Sequence, residues 1–339
     1  MNKLGVSTVV AGCLALSGCG EGGGGRVELG TRGAELLGAG HGLDHVVIAV
    51  RDLEASRNFF VDSLGFARAP RAQFPGVANT ELWFSDTTYL ELITVTDREQ
   101  AMGFMPQLPE FLDRHERGAM YLGLDVASAA HAAGYLRERG FEMMGPLPGS
   151  AALEGLAEPV PDMWHYVMFT QPVVPANALF FIEYDRAVLD VLAQRHPELA
   201  PQRYMSHPNT ALGIRAVWIA VNDLSAAATA FESVGLPAGP VLERNFFTDR
   251  VRKIETGHGD ILLLEPTEED GFTARFMATR GEGIMGVSLR VASLARAREV
   301  MAPDIGRRLM PHAGFYGGAF LVQPPLTQGL WIEFFEERG

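Results

Sequence analysis

Apolar positions recur along the chain in strand-length blocks, each closed by a valine and followed at once by a polar helix start. Four blocks stand out: HVVIAV-RDL over 45–53, YLGLDV-ASA over 121–129, WIAV-NDL over 218–224 and VSLRV-ASL over 287–294. From the closing valines, Val50, Val126, Val221 and Val291, a glycine lies 15, 14, 14 and 15 residues on, at Gly65, Gly140, Gly235 and Gly306. Glycine tolerates positive φ and marks helix C-termini. Asp52, Ser128, Asp223 and Ser293 stand where a side-chain oxygen can accept from the unpaired amides of a first helical turn. Each block therefore predicts a strand followed by one helix.

Three further stretches of strand composition follow each glycine. They are Phe66–Phe74, Asn79–Ser85 and Thr88–Val95, then Phe141–Leu147, Met163–Thr170 and Leu179–Asp185. In the second half they are Pro240–Arg244, Arg250–Thr256 and Ile261–Glu265, then Arg307–Pro311, Ala319–Gln323 and Leu330–Phe335. Each module reads β-α-β-β-β, the first resembling the third and the second the fourth. This regularity is the signature of internal duplication. It predicts an α+β chain of two domains, 43–186 and 210–339, each built from two modules. A Pro-containing linker, 187–209, joins them. The Pro/Gly-rich insertion 145–162 is expected either to cover the N-terminal cavity or to form a surface loop.

Composition narrows the partners. The 339 residues carry 28 Lys+Arg against 41 Asp+Glu, a formal charge of −13. The only lysines are Lys3 and Lys253, so neither a phosphate-binding surface nor a polybasic membrane patch is expected, and nucleic acid is excluded as a partner. At the N-terminus, Lys3 precedes about 13 apolar residues, too few to cross ~30 Å of hydrocarbon. They end in Leu16-Ser17-Gly18-Cys19, which resembles the lipobox of bacterial lipoproteins. That resemblance implies a signal peptide over 1–18, a lipidated Cys19 anchored to an extracytoplasmic membrane surface, and a Gly-rich tether over 19–42. No cysteine follows Cys19, so disulfides and thiolate metal sites are excluded from the folded part. HExxH, GxSxG and phosphate-binding glycine loops are also missing, which removes a nucleotide cofactor and nucleophilic hydrolysis from consideration.

The segment LDHVVIAVRDLEASRNFFVDSLGF, with YLELITV about forty residues later, resembles the glyoxalase-like branch of the vicinal oxygen chelate superfamily. The resemblance implies paired modules curled around a cavity. In that family two first strands and two last strands supply ligands to a divalent metal. On first strands the matching positions are His45, Tyr121, Ala216 and Gly286. On last strands Glu91 and Glu333 match, with Leu262 or Leu263 in the third module. Glu183 is the second-module candidate if an insertion of about 15 residues is allowed. A site built on His45, Glu91 and Glu183 therefore belongs to the N-terminal domain. One imidazole with two carboxylates suits Mn²⁺, Fe²⁺, Ni²⁺ or Zn²⁺. A buried carboxylate among apolar strand residues needs a partner, which a metal or an arginine can supply.

Tyr121 departs from the usual ligand types and is expected to contact substrate, as is His165 in MWHYVMF. His207 opens a turn set by Pro208 and Asn209, while His312 stands at no readable partner spacing. The resemblance thus leads to a metal-dependent enzyme acting on a small oxygenated compound. The alternative is a metal-free protein that binds or sequesters an amphipathic molecule through its aromatic side chains.

Overall fold

The computed structural model describes residues 32–175, 179–242 and 249–337. The expected signal peptide, Cys19 and most of the expected tether lie outside the described residues. The last part of that tether is helical. α1 (Arg32–Leu37) buries Leu36 and Leu37, and Gly42 bridges to His258 in the second half.

The first two modules run β1 (Leu43–Ala49), α2 (Leu53–Asn58, continued by a π-helical turn to Ser63), β2 (Arg71–Phe74), β3 (Val77–Trp83) and β4 (Tyr89–Val95). After α3 (Arg98–Phe104) and α4 (Gln107–His115) come β5 (Gly118–Asp125), α5 (Ala129–Glu138), β6 (Met143–Leu153), β7 (Val160–Phe169) and β8 (Leu179–Tyr184). The linker holds α6 (Arg186–Arg195) and two 3-10 turns, Pro197–Leu199 and Pro201–Arg203. Modules three and four are β9 (Ala211–Ala220), α7 (Leu224–Ser233), β10 (Ala238–Leu242), β11 (Asp249–Glu255), β12 (Asp260–Pro266) and α8 (Phe272–Arg280). They finish with β13 (Gly283–Val291), α9 (Leu294–Val300), α10 (Pro303–Gly306), β14 (Met310–Ala313), β15 (Gly317–Val322) and β16 (Trp331–Glu337).

All four expected N-caps form. The side chains of Asp52, Ser128, Asp223 and Ser293 each accept a backbone N–H from the first turn of α2, α5, α7 and α9. Gly65, Gly140 and Gly235 close their helices at φ 75°, 87° and 94°. Gly306 does not play that part. α9 stops at Val300 because Ala302, preceding Pro303, is held extended, and the proline then starts the short α10.

Eight strands of the first half close into a barrel, in the order β1-β4-β3-β2-β6-β7-β8-β5. The pairs β1–β4 and β5–β8 are parallel; the others are antiparallel. The insertion 145–162 is neither cover nor passive loop. It lengthens β6 and β7, and Leu153 and Ala152 pair with Ala72 and Gln73 to shut the barrel. The second half forms an eight-stranded sheet, β10-β11-β12-β9-β13-β16-β15-β14, with no β10–β14 pairing among the described residues.

Alternation along the strands divides their faces. Val46, Ile48 and Val50 lie outward against the helices, and Val217, Ile219 and Val221 do the same in the second half. Together they join one apolar cluster spanning both domains. Val47, Ala49 and Ile93 turn inward, where Ala101 of α3 and Leu108 and Leu112 of α4 plug one end of the barrel. The other end is covered by the segment read as a linker. Leu189, Leu192 and Ala193 of α6, with the turns through Met205, wall the barrel cavity.

Candidate functional site

His45 sits on the inward face of β1, 2% exposed. Its ring stacks on Tyr89 (centroids 4.3 Å apart), which stacks in turn on Trp83 (4.2 Å), and Phe180 meets its edge at 5.2 Å. Gly123, opposite on β5, makes room for the ring. A Cβ there would lie 2.6 Å from Cε1 and 2.7 Å from Nδ1 of His45. Gly123→Val is therefore expected to push the imidazole out of place and to destabilise the barrel by about 1–3 kcal/mol. Chemical denaturation together with the His45 NMR shifts checks this, and an unmoved ring signal would contradict it.

The imidazole lies between carboxylates. Nδ1 is 2.5 Å from Asp44 Oδ2, and Nε2 is 3.6 Å from Glu91 Oε2. Burial alone would lower its pKa, but the hydrogen bond and charge of Asp44, helped by Glu91 and Glu81, hold it above the ordinary value. Strand alternation would send Asp44 away from its neighbour. A register shift between Leu43 and His45 in the β1–β5 pairing marks the irregularity at which both side chains join one cluster. Tyr184 of β8 donates to Asp44 at 2.8 Å, and the hydroxyls of Tyr184 and Tyr89 are 3.0 Å apart.

On β3, Asn79, Glu81 and Trp83 share the inward face. Asn79 Nδ2 donates to Glu91 at 2.7 Å, while Trp83 Nε1 donates to Glu81 at 2.7 Å. Glu81 pairs across strands with Glu91. Burial, then the neighbouring Glu91 charge, push the Glu81 pKa up to about 7, and burial also raises that of Glu91. Above this floor lies a cavity of about 250 Å³ walled by Phe74, Trp83, Trp164, Tyr184 and Tyr204, with Asp44, Asn79 and Glu81 reaching it. Glu81 is half-buried by surface exposure, and its carboxyl lines the recessed cavity rather than the outer surface of the barrel.

The residues expected to form a metal site do not all meet here. His45 and Glu91 do. Glu183 points the other way and caps α5, accepting from the Ala129 amide at 2.7 Å. Sheet register gives the reason. Glu91 pairs with Val47, three residues before its closing valine; the same offset pairs Gly123 with Phe180, Trp218 with Leu262 and Ser288 with Glu333. The second-module counterpart of Glu91 is thus Phe180, and the allowance for the insertion overshot it by three residues. Tyr121 lies behind Phe180, ring centroids 6.1 Å apart, and opens instead on a separate cleft with Arg114 and Arg280; burial pushes its pKa up to about 12. His165 pairs with Glu183 and shares its outward face, whereas Trp164 reaches the cavity.

No three His, Cys, Asp or Glu side chains among the described residues converge to hold a metal. His45 Nδ1 is committed to Asp44, module two offers Phe180 and Tyr121, and only Nε2 and one Glu91 oxygen approach each other. This donor set does not fit the expected three-residue site.

Sequence reasoning passed over Asp44, Asn79, Glu81 and Tyr184, while Trp83 and Trp164 were among the aromatic side chains expected to bind ligand in the metal-free alternative. The period-two pattern Asn79-Thr80-Glu81-Leu82-Trp83 was visible, but polar positions on a middle strand carried no metal-ligand expectation. In the second half, Glu333 and His312 pair at 2.7 Å with both side chains 1% exposed, while Trp218, Leu262, Met285 and Trp331 fill the space that the barrel leaves open.

Residues 43–235 match the family model described as a glyoxalase-like domain. That is more than half of the chain, so it belongs to the glyoxalase-like family. No curated protein matches it in sequence. Among solved structures, a 4-hydroxymandelate synthase mutant from Streptomyces coelicolor is similar at TM-score 0.57 and 14% identity, covering 88% of this chain and 93% of its own. A hypothetical protein from Staphylococcus aureus gives 0.55 and 14%, covering 87% and 98%. These likenesses show that the fold is shared over nearly nine-tenths of the chain.

Proposed function

We propose that the N-terminal barrel is a small-molecule site that works without a divalent metal. The observation carrying this reading is the cavity itself: aromatic walls over a polar floor, under a cover made by α6 and its turns. Aromatic surface supplies affinity by burial and stacking, and a few placed polar groups supply orientation. The volume exceeds the ~150 Å³ that takes up benzene and suits a compact bicyclic body. Of the positions the family pattern marks for a metal, only His45 and Glu91 carry donors here, since the paired module contributes Phe180 and Tyr121 in their place. The second domain, its inner face filled by tryptophan and methionine, serves as structural partner.

Elemental analysis and thermal-shift titration with Mn²⁺, Fe²⁺, Ni²⁺ and Zn²⁺ test the proposal. The expected result is less than a tenth of an equivalent of bound metal and no saturable stabilisation by any ion. Near one equivalent, lost in both His45→Ala and Glu91→Ala, would overturn it and restore the metalloenzyme reading.

A further inference from the structure

The polar floor of the cavity is unbalanced in hydrogen bonding as well as in charge. Its donors are already used inside the cluster: Asn79 Nδ2 on Glu91, Trp83 Nε1 on Glu81, and Tyr184 Oη on Asp44. Asn79 is 2% exposed and its amide orientation is fixed by the Glu91 contact, yet its Oδ1 is buried with no hydrogen-bond partner. Asp44, Glu81 and Glu91 are three carboxylates gathered around one imidazole. Burying acceptors and negative charge in excess costs several kcal/mol unless a donor or cation arrives. The arginines that reach the cavity stand at its mouth and are otherwise engaged. Arg71 pairs with Glu154, and Arg186 lies over the Tyr184 ring, 5.7 Å from its centroid.

Resting on the reading of this cavity as a metal-free small-molecule site, we infer that its ligand is an organic cation: a protonated amine on a compact aromatic body, its N–H groups facing Glu81, Asp44 and Asn79 Oδ1. Trp83 and Tyr184 would add ring faces for a cation to rest on. The same floor rejects carboxylates and phosphates, which would bring a fourth negative charge and no donor. Glu81 is the residue that selects for charge, because it alone of the two Glu side chains reaches the cavity.

Three indoles of nearly equal size separate charge from shape: tryptamine (cationic), tryptophol (neutral) and indole-3-acetate (anionic), each titrated calorimetrically into the full-length protein at pH 7.5. Tryptamine is expected to bind at least tenfold more tightly than tryptophol, with indole-3-acetate weakest. In Glu81→Gln, which keeps an acceptor for Trp83 Nε1, tryptamine should lose its advantage while tryptophol binding stays within a factor of three. Unchanged thermal melting of that variant confirms an intact fold. Tryptophol or indole-3-acetate binding as tightly as tryptamine would overturn the cation inference and leave the pocket standing. Failure of all three indoles to bind would overturn both.

Discussion

Replacing Phe66 by alanine is expected to lower the stability of the whole chain by about 3–5 kcal/mol, as for other fully buried phenylalanines. Phe66 is 1% exposed and follows Gly65, the glycine that ends α2 and its π-helical turn. Its ring meets Phe60 at 5.8 Å, Phe84 at 6.1 Å and His207 at 5.4 Å, and reaches Phe334 of β16 in the second domain at 6.2 Å. Deleting it opens a cavity where both sheets, the π-helical end of α2 and the linker meet, so no single element can collapse to fill it. The apolar cluster is continuous across both halves, so the loss should appear as one shifted transition. Guanidinium unfolding followed by tryptophan fluorescence reads both domains, through Trp83 and Trp164 in one and Trp218 and Trp331 in the other. A loss below 1 kcal/mol, or two transitions of which only one moves, would contradict a shared core.

The modular repeat was legible because it is written in local chemistry. A capping oxygen, a closing valine and a terminal glycine act within a few residues of themselves, and three of the four sets formed as expected. The fourth failed at Pro303, whose effect on the preceding backbone overrides the weaker glycine signal. Long-range consequences were harder to read. Barrel closure depends on Ala152 and Leu153 finding β2 some eighty residues away, and nothing in the Pro/Gly-rich composition of 145–162 shows that pairing. Glu183 illustrates the sensitivity of strands to register: an offset of three residues reverses the face, turning an inferred ligand into a helix cap. His45 and Glu91 were found because the family pattern marks their positions. Asp44 was hidden by an irregularity in strand pairing. Glu81 was hidden because its importance comes from sharing a closed space with Glu91, which only the register reveals. α6 was hidden for another reason: its few apolar residues cover a cavity mouth rather than enter a core, so its pattern resembles that of a linker.

Acid is expected to weaken the link between linker and barrel through His207. Its Nδ1 accepts from the Ala67 amide at 2.9 Å and its Nε2–H donates to the Trp83 carbonyl at 2.7 Å, an arrangement that requires the neutral ring. Protonating Nδ1 would set two donors against each other inside an aromatic box of Phe66 and Phe84. Burial accordingly pushes its pKa down from 6.5 to about 4, against the smaller upward pull of the Trp83 carbonyl. A depressed histidine contributes stability that is fully present above the unfolded value and is lost as pH falls. From pH 6.5 to 4 the unfolded chain takes up a proton that the folded chain refuses, at ~1.4 kcal/mol per pH unit, or up to about 3 kcal/mol in all. Glu81 and Asp249, both pushed up to about 7 chiefly by burial, work in the opposite sense. Their folded forms hold protons that the unfolded chain releases, so their contribution grows as pH falls from 7. The wild-type curve alone therefore mixes the two. His207→Gln separates them, because its difference from wild type cancels the carboxylates. Urea unfolding of both proteins from pH 7.5 to 4 should show the stability gap narrowing by about 2–3 kcal/mol, and a constant gap would remove His207 as the titrating group. The strand end that His207 holds carries Trp83, whose indole lines the cavity and binds Glu81. Acid release of this one imidazole thus reaches the cavity from behind, through the backbone of the residue that holds Glu81 in place.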